Sequence, residues 1–186
     1  MIDNPCVSFG MIKCGFNSVS LYPNTGINIK IHKQGKIIFK GKCMIGNASA
    51  ISIGDRGIVI FGNNFIATVS LRLTSHHRIE FKENVLMGWE NVCMDTDFHK
   101  LTKLSGGYSK GFGTIKIGSN TWLGLRCTAL KNTKLPDYSV ISGNSVLNRD
   151  YTVDVPAYSL LSGNPASLRK TGVYRDMEND CIDYEL

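Results

Sequence analysis

Between Ile117 and Leu147 an aliphatic side chain recurs at every sixth position: Ile117, Leu123, Ala129, Leu135, Ile141 and Leu147. A compact residue stands four places after each of the first five, at Thr121, Cys127, Thr133, Ser139 and Ser145. An α-helix turns about 100° per residue, so a six-residue step would rotate each aliphatic by about 240° and smear the set around the helix. A strand returns to the same face after six residues. The pattern therefore predicts extended segments, each with one inward aliphatic and a compact residue at the next bend, wound as a solenoid.

The same beat is weaker upstream. It starts at Phe39, Ile45 and Ile51, slips, resumes at Phe61, Ala67 and Leu73, and continues through Phe81, Met87 and Cys93 to Asp95. Each slip is expected to be a loop inserted at a corner. Two segments starting 20 residues apart, at Phe61 and Phe81, resemble each other and are expected to lie on successive turns of a three-sided coil. Residues 1–35 lack the beat and read as an N-terminal cap over the open end; residues 36–160 form the solenoid. Residues 100–114 are glycine-rich and form a loop thrown out of the coil, and residues 161–186 are the closure and tail. A short helix is expected from Ser167 to about Glu178, beginning just after Pro165.

The 186 residues, 42 % of them apolar, suit one domain with a real core. No window approaches the roughly 18 apolar residues of a membrane span, and the first residues lack a basic start followed by an apolar stretch. The expectation is a cytoplasmic protein without membrane insertion. Six cysteines without paired spacing read as reduced thiols, three of them (Cys43, Cys93, Cys127) at repeat positions. The charge of +6 contains no run of lysines and arginines, so a nucleic-acid partner is not expected. A basic balance suits a phosphorylated small molecule, the more so because the tail from Asp176 to Leu186 is acidic.

Four features in order carry a resemblance: Asp97-Phe98-His99 before the excursion, Ile117 to Gly124 with its Trp122-Leu123-Gly124, the block through Val146, and Gly163-Asn164-Pro165-Ala166. Over roughly Phe61 to Lys170 the chain resembles the hexapeptide-repeat acyltransferases, and within them the galactoside, maltose and polysaccharide O-acetyltransferase group. The resemblance implies an all-β, left-handed parallel β-helix shaped as a triangular prism. It implies a homotrimer with an active site in each cleft between prisms, acetyl-coenzyme A as acyl donor and a saccharide as acceptor. It implies no metal.

His99 is the candidate general base, since removing a hydroxyl proton during attack on a thioester suits a neutral imidazole. Asp95 and Asp97 lie close enough to orient it, and Asp97, two residues away on an extended chain, would point the same way. Asp97 reads equally as a bend residue bonding nearby backbone amides, with a main-chain carbonyl orienting His99 instead. By resemblance an amide near Gly124-Leu125 supplies the oxyanion donor, and Trp122 and Gly143 line the pantetheine arm. Asn148 and Arg149 follow along the groove, and Lys170 meets the nucleotide phosphates. Thr68 stands where galactoside enzymes carry a sugar-binding asparagine. Asn84, Asp95, His76, His77 and Tyr108 are further candidates for the acceptor side, although Asn84 reads more readily as a corner residue and His76-His77 as part of a turn.

Three other readings compete. Amino-sugar N-acyl transfer would use the same base and cleft. A structural solenoid would need only the aliphatic beat. A γ-type carbonic anhydrase would draw on His76, His77 and His99 for zinc, but adjacent histidines on a strand face opposite ways.

Overall fold

The computed structural model describes residues 1–17 and 19–180. Parallel strands wind into a coil with three faces. The first face stacks Ile12–Cys14, Cys43–Ile45, Phe65–Val69, Leu86–Trp89, Trp122–Leu123, Ser139–Ile141 and Ser159–Gly163 in that order. The second stacks Ile27–Ile31, Ser49–Ile53, Arg72–Ser75, Val92–Met94, Thr128–Leu130 and Val146–Leu147. The third stacks Lys36–Phe39, Ile58–Phe61, Arg78–Phe81 and Ile115–Ile117, extended by single bridges at Lys134 and Asp150.

The six-residue beat sends Ile117, Leu123, Ala129, Leu135, Ile141 and Leu147 into the core, none more than 3 % exposed. The compact residues at 121, 127, 133, 139 and 145 are buried as well. Immediately before each of them the backbone turns through positive φ, at Asn120, Arg126, Asn132, Tyr138 and Asn144. Asparagine tolerates this left-handed conformation, which explains its recurrence at corners. Arg126 and Tyr138 adopt it at a cost of about 1 kcal/mol each. The similar segments at Phe61 and Phe81 do stack as neighbours in register. Their rings lie 5.5 Å apart and 2° from parallel, with Phe39 on the other side of Phe61 and Phe65 tilted against both.

The slips in the beat share one location. His32-to-Gly35, Gly54-to-Gly57, His76-His77 and residues 95–114 all interrupt the coil between its second and third faces. An insertion can only be accommodated where the chain already bends, and one corner has collected all four.

Two expectations change. Within the segment expected to cap the coil, Ile12–Cys14 and Ile27–Ile31 are strands of its first turn, with Ile12 paired to Cys43 and Ile27 to Ser49. The open end keeps Ile29 and Ile31 exposed. The expected helix after Pro165 is a strand, Ala166–Thr171, antiparallel to Ser159–Gly163. The last strand of a parallel sheet has unpaired backbone groups, and the returning chain satisfies them. Among the described residues there is no helix. The end of the acidic tail, 181–186, including Cys181, lies outside the described residues.

Candidate active site

The first and second faces meet at a corner where the backbones approach closely. A Cβ added to Gly124 would sit 2.9 Å from the Gly143 nitrogen, and one on Gly143 would sit 3.2 Å from both the Leu125 carbonyl oxygen and its side chain. Trp122, pointing outward from the strand that leads into this corner, is 39 % exposed, and Leu125 on the bend is 44 % exposed. The four residues Trp122, Gly124, Leu125 and Gly143 therefore share one outer surface.

Buried Asn91 fixes that bend. Its Nδ2 donates to the Gly124 carbonyl at 3.0 Å and its Oδ1 accepts from the Cys127 amide at 2.9 Å. The Gly124 amide donates to Ile141 and the Arg126 amide to Trp89. Between them the Leu125 amide has no partner among the described residues. Asn91 has no signal in sequence, because its partners lie on the next turn.

Cys127, beneath the bend, is buried, and desolvation raises its thiol pKa; Cys93 beside it is pushed up to about 12 by full burial. Both act as small apolar fillers rather than nucleophiles.

His99 lies at a different corner, on the excursion between the second and third faces. The excursion is an arm whose sides pair at Thr96 with Phe112 and at Thr102 with Tyr108. The Asp97 amide donates to the Gly111 carbonyl at 2.8 Å, and the His99 amide to the Asp97 carbonyl at 2.6 Å. His99 is exposed, and its imidazole has no hydrogen bond among the described residues. Phe98, Leu101, Leu104 and Tyr108 of the arm are also exposed, Leu104 completely, and Lys100 stands 3.3 Å over the Tyr108 ring.

Neither aspartate orients the imidazole. The Asp97 carboxylate takes the Lys131 ammonium at 2.5 Å, because the next turn places a cation directly against the base of the arm. Asp95 is fully buried: it accepts from Ser75 Oγ at 2.7 Å and from the amides of His76 and His77 at 2.7 and 3.0 Å. That network makes Asp95 a clamp on a bend, so it does not face an acceptor.

Asn84 is a corner residue, with φ 56°. It accepts from Asn64 at 3.0 Å and donates to Asn120 at 2.9 Å, forming an asparagine ladder along one edge. This engagement removes it from the acceptor side. Thr68 lies on the first face before the corner, two turns ahead of Gly124, and donates to the Met87 carbonyl.

The coenzyme candidates divide. Lys170 is exposed on the returning strand, paired with Leu160, in the same row as Val140 and Trp122. Asn148 and Arg149 stand across the second face, at the corner it shares with the third. Arg149 pairs with Asp154 at 2.7 Å and lies over the Tyr151 ring, so its charge is already engaged.

Lys131 was not visible as a functional residue in the sequence. Its ammonium donates to Asp97 on one side of the arm and to the Lys110 carbonyl, at 3.0 Å, on the other. It staples the base of the arm that carries His99. A Lys131→Met protein is expected to lose about tenfold in kcat, with Lys131→Arg recovering most of it and stability changed by less than about 1 kcal/mol. Steady-state kinetics with a thermal melt checks this; unaltered kcat in Lys131→Met would remove the staple from the account.

No family model matches the chain. Over 74 residues it is 40 % identical to "Putative acetyltransferase SAV2555" of Staphylococcus aureus strain Mu50, a match covering 40 % of this chain and 32 % of that protein. Over 93 residues it is 34 % identical to "Putative acetyltransferase SACOL2570" of strain COL, covering 50 % of this chain and 40 % of that protein. In these matches the chain spans only about a third to two fifths of the relatives' length. Two solved structures share the fold. The polySia-specific acetyltransferase NeuO superposes with a TM-score of 0.59 at 14 % identity, covering 97 % of this chain and 90 % of that one. The polysialic acid O-acetyltransferase OatWY gives 0.57 at 18 %, covering 84 % and 91 %. The fold is the left-handed parallel β-helix of these acetyltransferases, as the hexapeptide resemblance implied.

Proposed function

We propose that this protein transfers an acetyl group from acetyl-coenzyme A to a hydroxyl of a saccharide, with His99 as general base. The observation that carries the reading is the corner at Gly124. An exposed tryptophan, close-packed backbone at Gly124 and Gly143 with the exposed Leu125 side chain against it, and an unbonded Leu125 amide occur together there. The exposed Trp122 ring and the Leu125 side chain beside it offer an apolar surface for a pantetheine arm. The Leu125 amide, held by the bend that Asn91 fixes, is an oxyanion donor. The acceptor oxygen attacks the thioester carbon as His99 takes its proton. The C–O bond forms, the C–S bond breaks, and the proton passes to the departing thiolate. The names of the sequence relatives, each given as "Putative acetyltransferase", support acetyl transfer.

His99 and Trp122 occupy different corners of one prism, so the reading requires a second copy to bring base and thioester together. The first face offers a surface for it. Met44, Ile66, Leu86, Trp122, Val140 and Leu160 stack as a continuous outward apolar row. We assign the assembly as a homotrimer and the compartment as the cytoplasm, where thiols stay reduced.

Thermal-shift titration tests the donor. Acetyl-coenzyme A at about 100 times its dissociation constant adds about 2.7 kcal/mol to native stability. A dose-dependent rise in Tm is expected for the native chain and a much weaker one for Trp122→Ala; no shift at any concentration would exclude the coenzyme reading.

A further inference from the structure

The four insertions at one corner build a cavity. It holds about 410 Å³ and is walled by three successive turns, with His32 on the first, Asp55 and Arg56 on the second, and His76 and His77 on the third. Thr96 and Phe112, the paired residues at the base of the arm, close the fourth side. The imidazoles are held in place. Gly54 leaves room for the His76 ring, since a Cβ there would come within 2.6 Å of it. His76 meets Phe98 edge-on at 5.0 Å, and His77 lies 4.9 Å from Phe112. Buried Asp95 grips the amides of both histidines, so the backbone beneath them is fixed from inside the coil.

The lining is rich in donors. Arg56 forms no ion pair among the described residues, and Asp55 is the single carboxylate on the wall. A guanidinium with imidazole N–H groups and the Thr96 hydroxyl matches a carboxylate or phosphate, whose oxygens only accept. The position is equally specific. His99 follows Thr96 by three residues on the arm that rises from the cavity rim.

We propose that this corner cavity is the acceptor subsite and that it takes the anionic group, carboxylate or phosphate, of an acidic saccharide through Arg56 and His76. The proposal rests on the acetyltransferase reading and names its acceptor class. An anion anchored there leaves the rest of the sugar lying along the arm, with its hydroxyls on the His99 side.

The test compares three acceptors with one donor: galactose, galacturonate and galactose 1-phosphate with acetyl-coenzyme A, for the native chain, Arg56→Ala and Arg56→Lys. At least one anionic acceptor is expected to exceed galactose in kcat/KM by about tenfold or more, and whichever anion does so names the group. That ratio is expected to collapse in Arg56→Ala through KM, with partial recovery in Arg56→Lys. Equal use of the three, or an unchanged ratio in Arg56→Ala, would overturn the proposal. If none is acetylated, imidazole resonances of His32, His76 and His77 are followed by NMR as galacturonate or inorganic phosphate is added. Saturable shifts in the native chain that vanish in Arg56→Ala uphold an anion subsite while the transfer reading fails. No shifts would overturn the subsite itself.

Discussion

Replacing His99 with alanine is expected to lower kcat for acetyl transfer about 1,000-fold while the melting temperature stays unchanged. General-base assistance contributes roughly 10²- to 10⁴-fold, and no other imidazole stands on the arm. The residue is exposed and its ring is outside every hydrogen-bond network among the described residues, so truncation removes chemistry without a packing cost. Only its main chain is built into the arm, through the hydrogen bond its amide donates to the Asp97 carbonyl. Coenzyme affinity should survive as well, because Trp122 and Gly143 lie at another corner. Full turnover by a folded His99→Ala protein would transfer the base role to another residue.

Phe61→Ala is expected to destabilise the coil by about 4 kcal/mol, the largest stability effect of any single truncation considered. Phe61 is wholly buried at the middle of a stack with Phe39 on one side and Phe81 on the other, each 5.5 Å away, and Phe65 is 4.6 Å from it. Three turns of the solenoid lose a shared contact, and the turns above and below cannot close the gap without breaking register. For a chain of this size the loss corresponds to a fall in Tm of roughly 10 °C. A shift below 3 °C, about 1 kcal/mol, by circular dichroism would mean that the turns are stabilised independently of this stack.

The inward side of the coil was legible because period-six spacing and burial are one constraint. Ile117 to Leu147 could not be inward-facing in any helical register, and Phe61 over Phe81 followed from two similar segments spaced by one turn. Corner asparagines were visible for the same local reason, and Asn84 proved to be one of them. What the spacing could not show is where a polar side chain finds its partner one turn away. Asp97 was expected beside His99, yet Lys131, on the next turn, takes its carboxylate. Asp95 reads as a site acid in sequence and is a buried clamp in the fold, since Ser75 and the His76-His77 amides come to it from the preceding turn. The strand Ala166–Thr171 reads as a helix because proline and charged residues precede and fill it; the unpaired edge of Ser159–Gly163 overrides that local preference. The gathering of four insertions at one corner, which makes the Arg56 cavity, is likewise a property of winding and not of any one segment.

Acetyl transfer to a saccharide hydroxyl is tested most directly by product analysis after incubation with isotopically labelled acetyl-coenzyme A and the acidic and neutral saccharides. Free thiol is expected in proportion to labelled saccharide, with the label removed by hydroxylamine as expected of an ester. Thiol release without labelled saccharide, or a label that resists hydroxylamine as an amide would, contradicts transfer to a hydroxyl.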